Sequence, residues 1–92
     1  LPIEQRFFRR DPDTGNVFYV TSVAPDKTMT GVQIFRPGLN GYWKQSIQAK
    51  TARIETTILV LPDAVITDYN IDVSMTTQIQ ERQPITVGLP MG

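Results

Sequence analysis

The 92-residue sequence contains neither cysteine nor histidine. Without cysteine it has no disulfide and no thiol nucleophile, and without both residue types it has no conventional zinc site. Catalysis would need paired carboxylates, or a hydroxyl side chain with a lysine base. Asp68 and Asp72 share one strand phase, but amides and hydroxyls lie between them, as on a solvated face that discourages aggregation. We therefore expect no enzyme, no cofactor and no metal.

The sequence also lacks a net charge, since nine basic residues balance nine acidic ones. The charges are unevenly spread. Residues 1–53 carry eight basic and four acidic residues, a surplus of four, and residues 54–92 carry one and five, a deficit of four. This split could steer the acidic half of one copy onto the basic half of another, or both halves could mix over one folded surface.

No apolar run approaches the ~18 residues that a membrane-spanning helix needs. No signal-peptide pattern is found at the start. We therefore expect no membrane contact and a virion or cytoplasmic location. A chain this short buries roughly 60% of its unfolded surface, so association with a partner would add stability.

The most informative pattern present is a strict alternation between residues 65 and 79. The odd positions are apolar or carry threonine or tyrosine, and the even positions are polar apart from Ile66, which predicts a strand with one dry face. At ~3.3 Å per residue such a strand reaches ~50 Å, whereas a compact domain of this size is only ~30 Å across. Either the strand projects as an arm, or it folds back at Asp68-Tyr69-Asn70 through a three-residue loop.

The rest of the chain also predicts strands. We expect them over 5–10, 17–23, 29–35, 54–61 and 85–89, the last at an edge, because proline flanks it. Pro62-Asp63 is predicted to be the turn that ends the strand 54–61, and residues 42–53 fit either a strand or a single helical turn. The predicted fold is all-β, a small SH3-like or OB-like barrel or sandwich. A small β-domain over 1–61 would carry a long C-terminal strand or arm with a tail over 62–92.

Three segments suggest binding chemistry. Three arginines flank two phenylalanines over residues 6–10, which suits phosphates and stacked bases, or simply an edge strand with one buried ring. Aromatic residues follow a glycine-rich loop at 38–41, which suits either partner contact or core packing. Asp11, Asp13 and Asn16 surround Gly15 but lack the other ligands of a calcium loop, so an Asx-stabilised turn is expected there.

The leading hypothesis is a non-catalytic structural or interaction subunit that assembles by β-strand pairing with its own copies or with other subunits. The threonine-, isoleucine- and valine-rich texture is typical of virion and phage-tail proteins. The alternatives are a small nucleic-acid-binding barrel and a regulatory or inhibitory module that binds a partner protein. The predicted partner-binding residues are Tyr69, Ile71, Val73, Met75, Ile79, Tyr42 and Trp43. The predicted nucleic-acid residues are Arg6, Phe8, Arg9, Arg10 and Lys44.

Overall fold

The computed structural model describes residues 7–71 and 76–88, which form one sheet of six antiparallel strands curled into a half-barrel. Each strand pairs with the next one along the chain, so the first and last strands are the sheet edges. The all-β prediction is confirmed, and the described residues contain no α-helix. The strands are β1 (Phe7–Arg10), β2 (Val17–Val23), β3 (Thr28–Pro37), β4 (Trp43–Glu55), β5 (Ile58–Ile71) and β6 (Thr76–Gly88), and a single 3-10 turn spans Leu39–Gly41.

The turn between β1 and β2 is closed by local hydrogen bonds. The Asp11 carboxylate accepts the amide of Asp13 at 2.9 Å, and the Asp11 carbonyl accepts the amide of Gly15 at 2.7 Å. Gly15 has a φ of 77°, which a side-chain-free residue adopts at little cost. The Asx-stabilised turn is therefore confirmed.

The middle of the sequence departs from two predictions. Residues 43–55 form strand β4, which resolves the ambiguity over 42–53 in favour of a strand. The predicted strand over 54–61 was wrong, because the chain reverses in a two-residue turn between Glu55 and Ile58, which are paired. Thr56 in that turn has a φ of 57°. Tight hairpin turns are usually indicated by glycine, asparagine or aspartate, and a β-branched threonine gives no such indication. The turn was therefore not predicted.

Pro62-Asp63 does not end a strand, contrary to prediction. Strand β5 runs through it, and the register with β6 shifts by one residue between Leu61 and Ala64. Two residues of β5 therefore lie opposite one residue of β6, which is a β-bulge. The residue opposite is Pro84, so the bulge brings together two residues that cannot donate a backbone hydrogen bond. Strand β5 also passes the predicted domain boundary at 61/62, and that division stays a prediction.

The long alternating segment folds back, but not at Asp68-Tyr69-Asn70. Strand β5 continues to Ile71, which pairs with Thr76, so the chain reverses between those two residues. The register sets position 69 opposite position 78 and position 68 opposite position 79. Four residues separate the last pair, so odd positions of β5 lie opposite even positions of β6. The prediction that one set of alternate positions shares a face throughout 65–79 therefore does not hold beyond the reversal.

The hydrophobic core cluster lies on one face of the curled sheet and changes phase once in each of four strands, while Val17, Ser46 and Thr67 are buried on the opposite face. In β4 the buried residues Ala49 and Ala52 are separated by two exposed residues instead of one. The changes of phase lie on one line across the sheet, which we call the crease. It passes through Thr21–Ser22, Thr30–Gly31, Lys50–Thr51 and Pro62–Asp63. The register of β2, β3 and β4 is the same on both sides of it, but Gly31 is not among the residues paired with β2 or β4.

The crease explains how one sheet encloses a core. Bulge-like positions bend strands, and here they are aligned across neighbouring strands. The buried residues on both sides of the crease form one cluster, with Ile34, Ile47 and Leu61 fully buried at its centre. The curl also brings the β1–β2 turn close to the end of β6, because Asn16 and Thr86 line the same cavity of about 460 Å³.

Candidate binding surface on the outer face

An aromatic chain crosses the face of the sheet opposite the core. The ring of Phe8 lies 4.8 Å from that of Tyr19, Tyr19 lies 6.3 Å from Phe35, and Phe35 lies 5.5 Å from Trp43, measured between ring centroids. The first two pairs are edge-to-face, an arrangement that aromatic quadrupoles favour. Phe8 is 58% exposed, and Tyr19 and Trp43 are 46% and 44% exposed. Each strand from β1 to β4 contributes one of these rings.

A groove of about 980 Å³ follows the crease on this outer face. It crosses strands β2 to β5, and Phe8 and Tyr19 line one end of it. The rest of its lining combines valine and alanine with polar side chains, among them one cation and one carboxylate. Its exposed lining residues include Phe8, Tyr19, Gln33, Gln48, Lys50 and Asp63. Because neighbouring strands lie about 4.8 Å apart, the groove is about 14 Å long.

Sequence reasoning named only some of these residues. It found Phe8 and Trp43, which the fold joins through Tyr19 and Phe35. It missed Tyr19 and Gln33, which occupy the outward phase of predicted strands, and Gln48, which lies in the segment that fitted either a strand or a helical turn. The available signal was a tyrosine between two buried residues on β2, Phe18 and Val20. That signal indicated exposure but not which neighbours would surround the ring.

The remaining predicted residues are scattered. Tyr42 and Lys44 flank Trp43 and are exposed, and Arg9 and Arg10 are exposed on β1. Tyr69 is half-buried on β5, and positions 71 and 79 are placed by the backbone, in β5 and β6. Outside the described residues lie Arg6, Val73 and Met75.

The β5–β6 hairpin is anchored to β4 by two side-chain hydrogen bonds. The Gln45 amide donates to the Asp68 carboxylate at 2.7 Å. The hydroxyls of Ser46 and Tyr69 lie 3.0 Å apart and share one hydrogen bond. The last β4–β5 backbone pair is Gln45 with Asp68. Beyond it, the hairpin continues as two strands alone, and we call residues 69–71 and 76–78 the hairpin tip.

On β4, Arg53 and Glu55 form an exposed ion pair at 3.3 Å. The described residues hold no group of three or more His, Cys, Asp or Glu side chains placed to bind a metal ion.

In the turn before β3, the Thr28 amide donates to the Asp26 carboxylate at 3.0 Å, which lowers the pKa of Asp26 below its ordinary 3.8.

No helix in the described part of the chain is long and apolar enough to cross a membrane. No protein-family model matches the sequence, and a search of curated proteins finds none that is significantly similar. Functional proposals for this chain therefore rest on its geometry and chemistry.

Proposed function

We propose that this chain is a non-catalytic structural subunit that assembles by β-strand pairing with further copies of itself, as in a virion or another large particle. The observation that carries this proposal is the unclosed sheet. Strand β6 is 13 residues long, about 44 Å at the usual rise, and β5 is its sole strand partner among the described residues. A long unpaired edge is a ready template for another strand.

The hairpin tip supports the same proposal. It extends beyond β4, and an isolated two-stranded ribbon is marginally stable in water. A neighbouring subunit that packs on the tip or extends the sheet would supply the missing contacts. Two of the predicted partner-binding positions, Tyr69 and Ile71, lie in this tip, and Ile79 directly follows it on β6.

The two edges of the sheet are different, which favours a head-to-tail arrangement. Strand β1 is four residues long, whereas β6 is thirteen residues long and carries one acid and one base, Glu81 and Arg82. Pairing the β6 edge of one copy with the β1 edge of the next would leave no edge unpaired in a closed ring. A heterologous contact of this kind generates rings or filaments rather than two-fold dimers.

The test is absolute mass in solution, measured by light scattering after size exclusion over a range of concentrations. Two variants, Gln80→Pro and Glu81→Pro, probe the β6 edge. Adjacent residues in an antiparallel strand donate in opposite directions, so one proline removes a bond to β5 and the other removes an outward donor. The variant that retains its β-sheet circular dichroism is expected to be monomeric under conditions in which the wild type assembles.

Gln80→Ala and Glu81→Ala are the matched controls, because they remove the side chain and keep the backbone donor. Both are expected to assemble like the wild type. A wild type that remains monomeric at every concentration would overturn the proposal. So would a folded proline variant that assembles normally.

Nucleic-acid binding is the second proposal, and the aromatic chain from Phe8 to Trp43 favours it because exposed rings can stack on bases. The net charge of zero and the carboxylate of Asp63 in the groove weigh against it. A phosphate-led mode requires that binding to an oligonucleotide weaken steeply with added salt.

The regulatory-module prediction would instead require a one-to-one complex with a different protein.

A further inference from the structure

The crease groove has the dimensions of a ligand site. Its volume of about 980 Å³ lies at the upper end of the range for small-molecule pockets, roughly 300 to 1,000 Å³. It is a trough across four strands rather than an enclosed cavity, since most of its lining side chains are exposed. A trough about 14 Å long suits an extended chain of several linked units better than a single compact molecule.

The floor of the groove presents neutral hydrogen-bonding groups. Gln33 and Gln48 are directly paired across β3 and β4, so their side chains lie side by side on the outer face. Both are exposed, and neither makes a side-chain hydrogen bond to another described residue. Each amide offers two donors and an acceptor, which is the capacity that a ligand rich in hydroxyl groups requires.

Aromatic rings close one end of the same groove. Phe8 and Tyr19 meet at an interplanar angle of 66° and leave about half of each side chain exposed. The face of an aromatic ring carries partial negative charge, and it attracts the weakly positive C–H groups on the flat side of a sugar ring. Exposed rings beside free amides therefore match a ligand that has both apolar C–H faces and hydroxyl edges.

The charge of the groove distinguishes between polymers. Lys50 and Asp63 are its charged lining residues among those described, and their formal charges cancel. A phosphate chain would meet one carboxylate for each cation, so it would gain little of the electrostatic attraction on which nucleic-acid binding depends. A neutral polymer incurs no such cost.

We infer that the crease groove binds a neutral, extended oligosaccharide, of the β-1,4-linked type. Phe8 and Tyr19 stack on sugar rings, and Gln33 and Gln48 hydrogen-bond to hydroxyl groups. The β-1,4 linkage is specified because it makes an extended ribbon, as a trough about 14 Å long across four strands requires. This inference does not depend on strand-paired assembly, because the groove lies on the face of the sheet and the assembly contact lies at its edge.

The test is a titration of ¹⁵N-labelled full chain with cellohexaose and, separately, with chitohexaose. At least one of them is expected to shift the side-chain amide signals of Gln33 and Gln48 together with the backbone signal of Tyr19. Tyr19→Ala is expected to bind roughly tenfold more weakly, as the loss of a central aromatic contact does. Gln48→Ala is expected to weaken binding severalfold, and it keeps the test decisive if the tyrosine variant fails to fold.

Tyr42→Ala is the matched control, because Tyr42 is an aromatic residue of similar exposure outside the groove. It is expected to bind like the wild type. Failure of both sugars to shift any groove signal would overturn the inference, as would an equal loss in the Tyr42 variant. Tighter binding of oligothymidylate to the same residues would also overturn it and would support the nucleic-acid proposal.

Discussion

Strands β3 and β5 cross the same crease by different chemical means. In β3 the bend falls at Gly31, which has a φ of 66° and no side chain. In β5 it falls at Pro62-Asp63, where a bulge faces Pro84. The side chain of Thr21 on β2 leaves no room for a Cβ at Gly31, whereas Pro62 is exposed on the outer face. In β3 the bend therefore depends on a glycine that lets β2 approach closely. In β5 it depends on a bulge at which two prolines lack a backbone N–H.

Gly31→Ala should produce the largest effect. A Cβ at this position would lie 2.9 Å from the Cβ of Thr21 and closer still to its hydroxyl, which hydrogen-bonds to the Gly31 carbonyl. Left-handed backbone costs about 1–2 kcal/mol and overpacking about 1–3 kcal/mol. We expect the free energy of unfolding to fall by about 3 kcal/mol in urea denaturation.

A double variant separates the two causes of that loss. Adding Thr21→Gly to Gly31→Ala removes the steric contact but leaves the backbone strain, so the coupling between the two substitutions should be favourable. Strictly additive losses would show that Thr21 does not restrict position 31.

Pro62→Ala tests the other side of the comparison and should have a smaller effect. The residue is exposed, and the position opposite it offers no backbone donor. The substitution mainly increases the freedom of the unfolded chain, which costs about 0.5 kcal/mol. A loss as large as that for Gly31→Ala would mean that the bulge in β5 depends on proline itself. The same urea denaturation measures both variants.

The turns that lead into the two strands should differ in their response to acid. The turn before β3 is held by the Asp26 carboxylate, which accepts the Thr28 amide, whereas the Thr56-Thr57 turn before β5 has no ionisable residue. The pKa of Asp26 is lower in the folded chain than its ordinary value of 3.8. Its stabilising contribution is therefore complete above that value and is lost as the pH falls through the folded pKa.

Asp26→Ala should accordingly reduce stability slightly at neutral pH and not at all once Asp26 is protonated. Urea denaturation of the wild type and the variant, at neutral pH and at a pH below the folded pKa of Asp26, measures this small difference. A difference that persists in acid would assign the effect to the backbone of the turn rather than to the carboxylate.

Much of the strand pattern was predictable from residues. Strand β2 was predicted with its exact bounds, Val17–Val23, because breakers flank an apolar run on both sides. Pro62-Asp63 misled the prediction because the same dipeptide suits a turn and a bulge, and only the neighbouring strands distinguish them. The candidate binding surface was half predictable: Phe8 and Trp43 were identifiable, but their connection through Tyr19 and Phe35 depends on register.

The sequence by itself determined the class of the fold and the absence of thiol and imidazole chemistry. Alternation within each strand is a local property, and residue types exclude reactions without reference to neighbours. The tertiary structure alone decided where the long segment reverses, where four strands bend together and which side chains line the groove. Those features arise from pairing between residues far apart in the chain, and a shift of one residue in register would move every side chain to the other face.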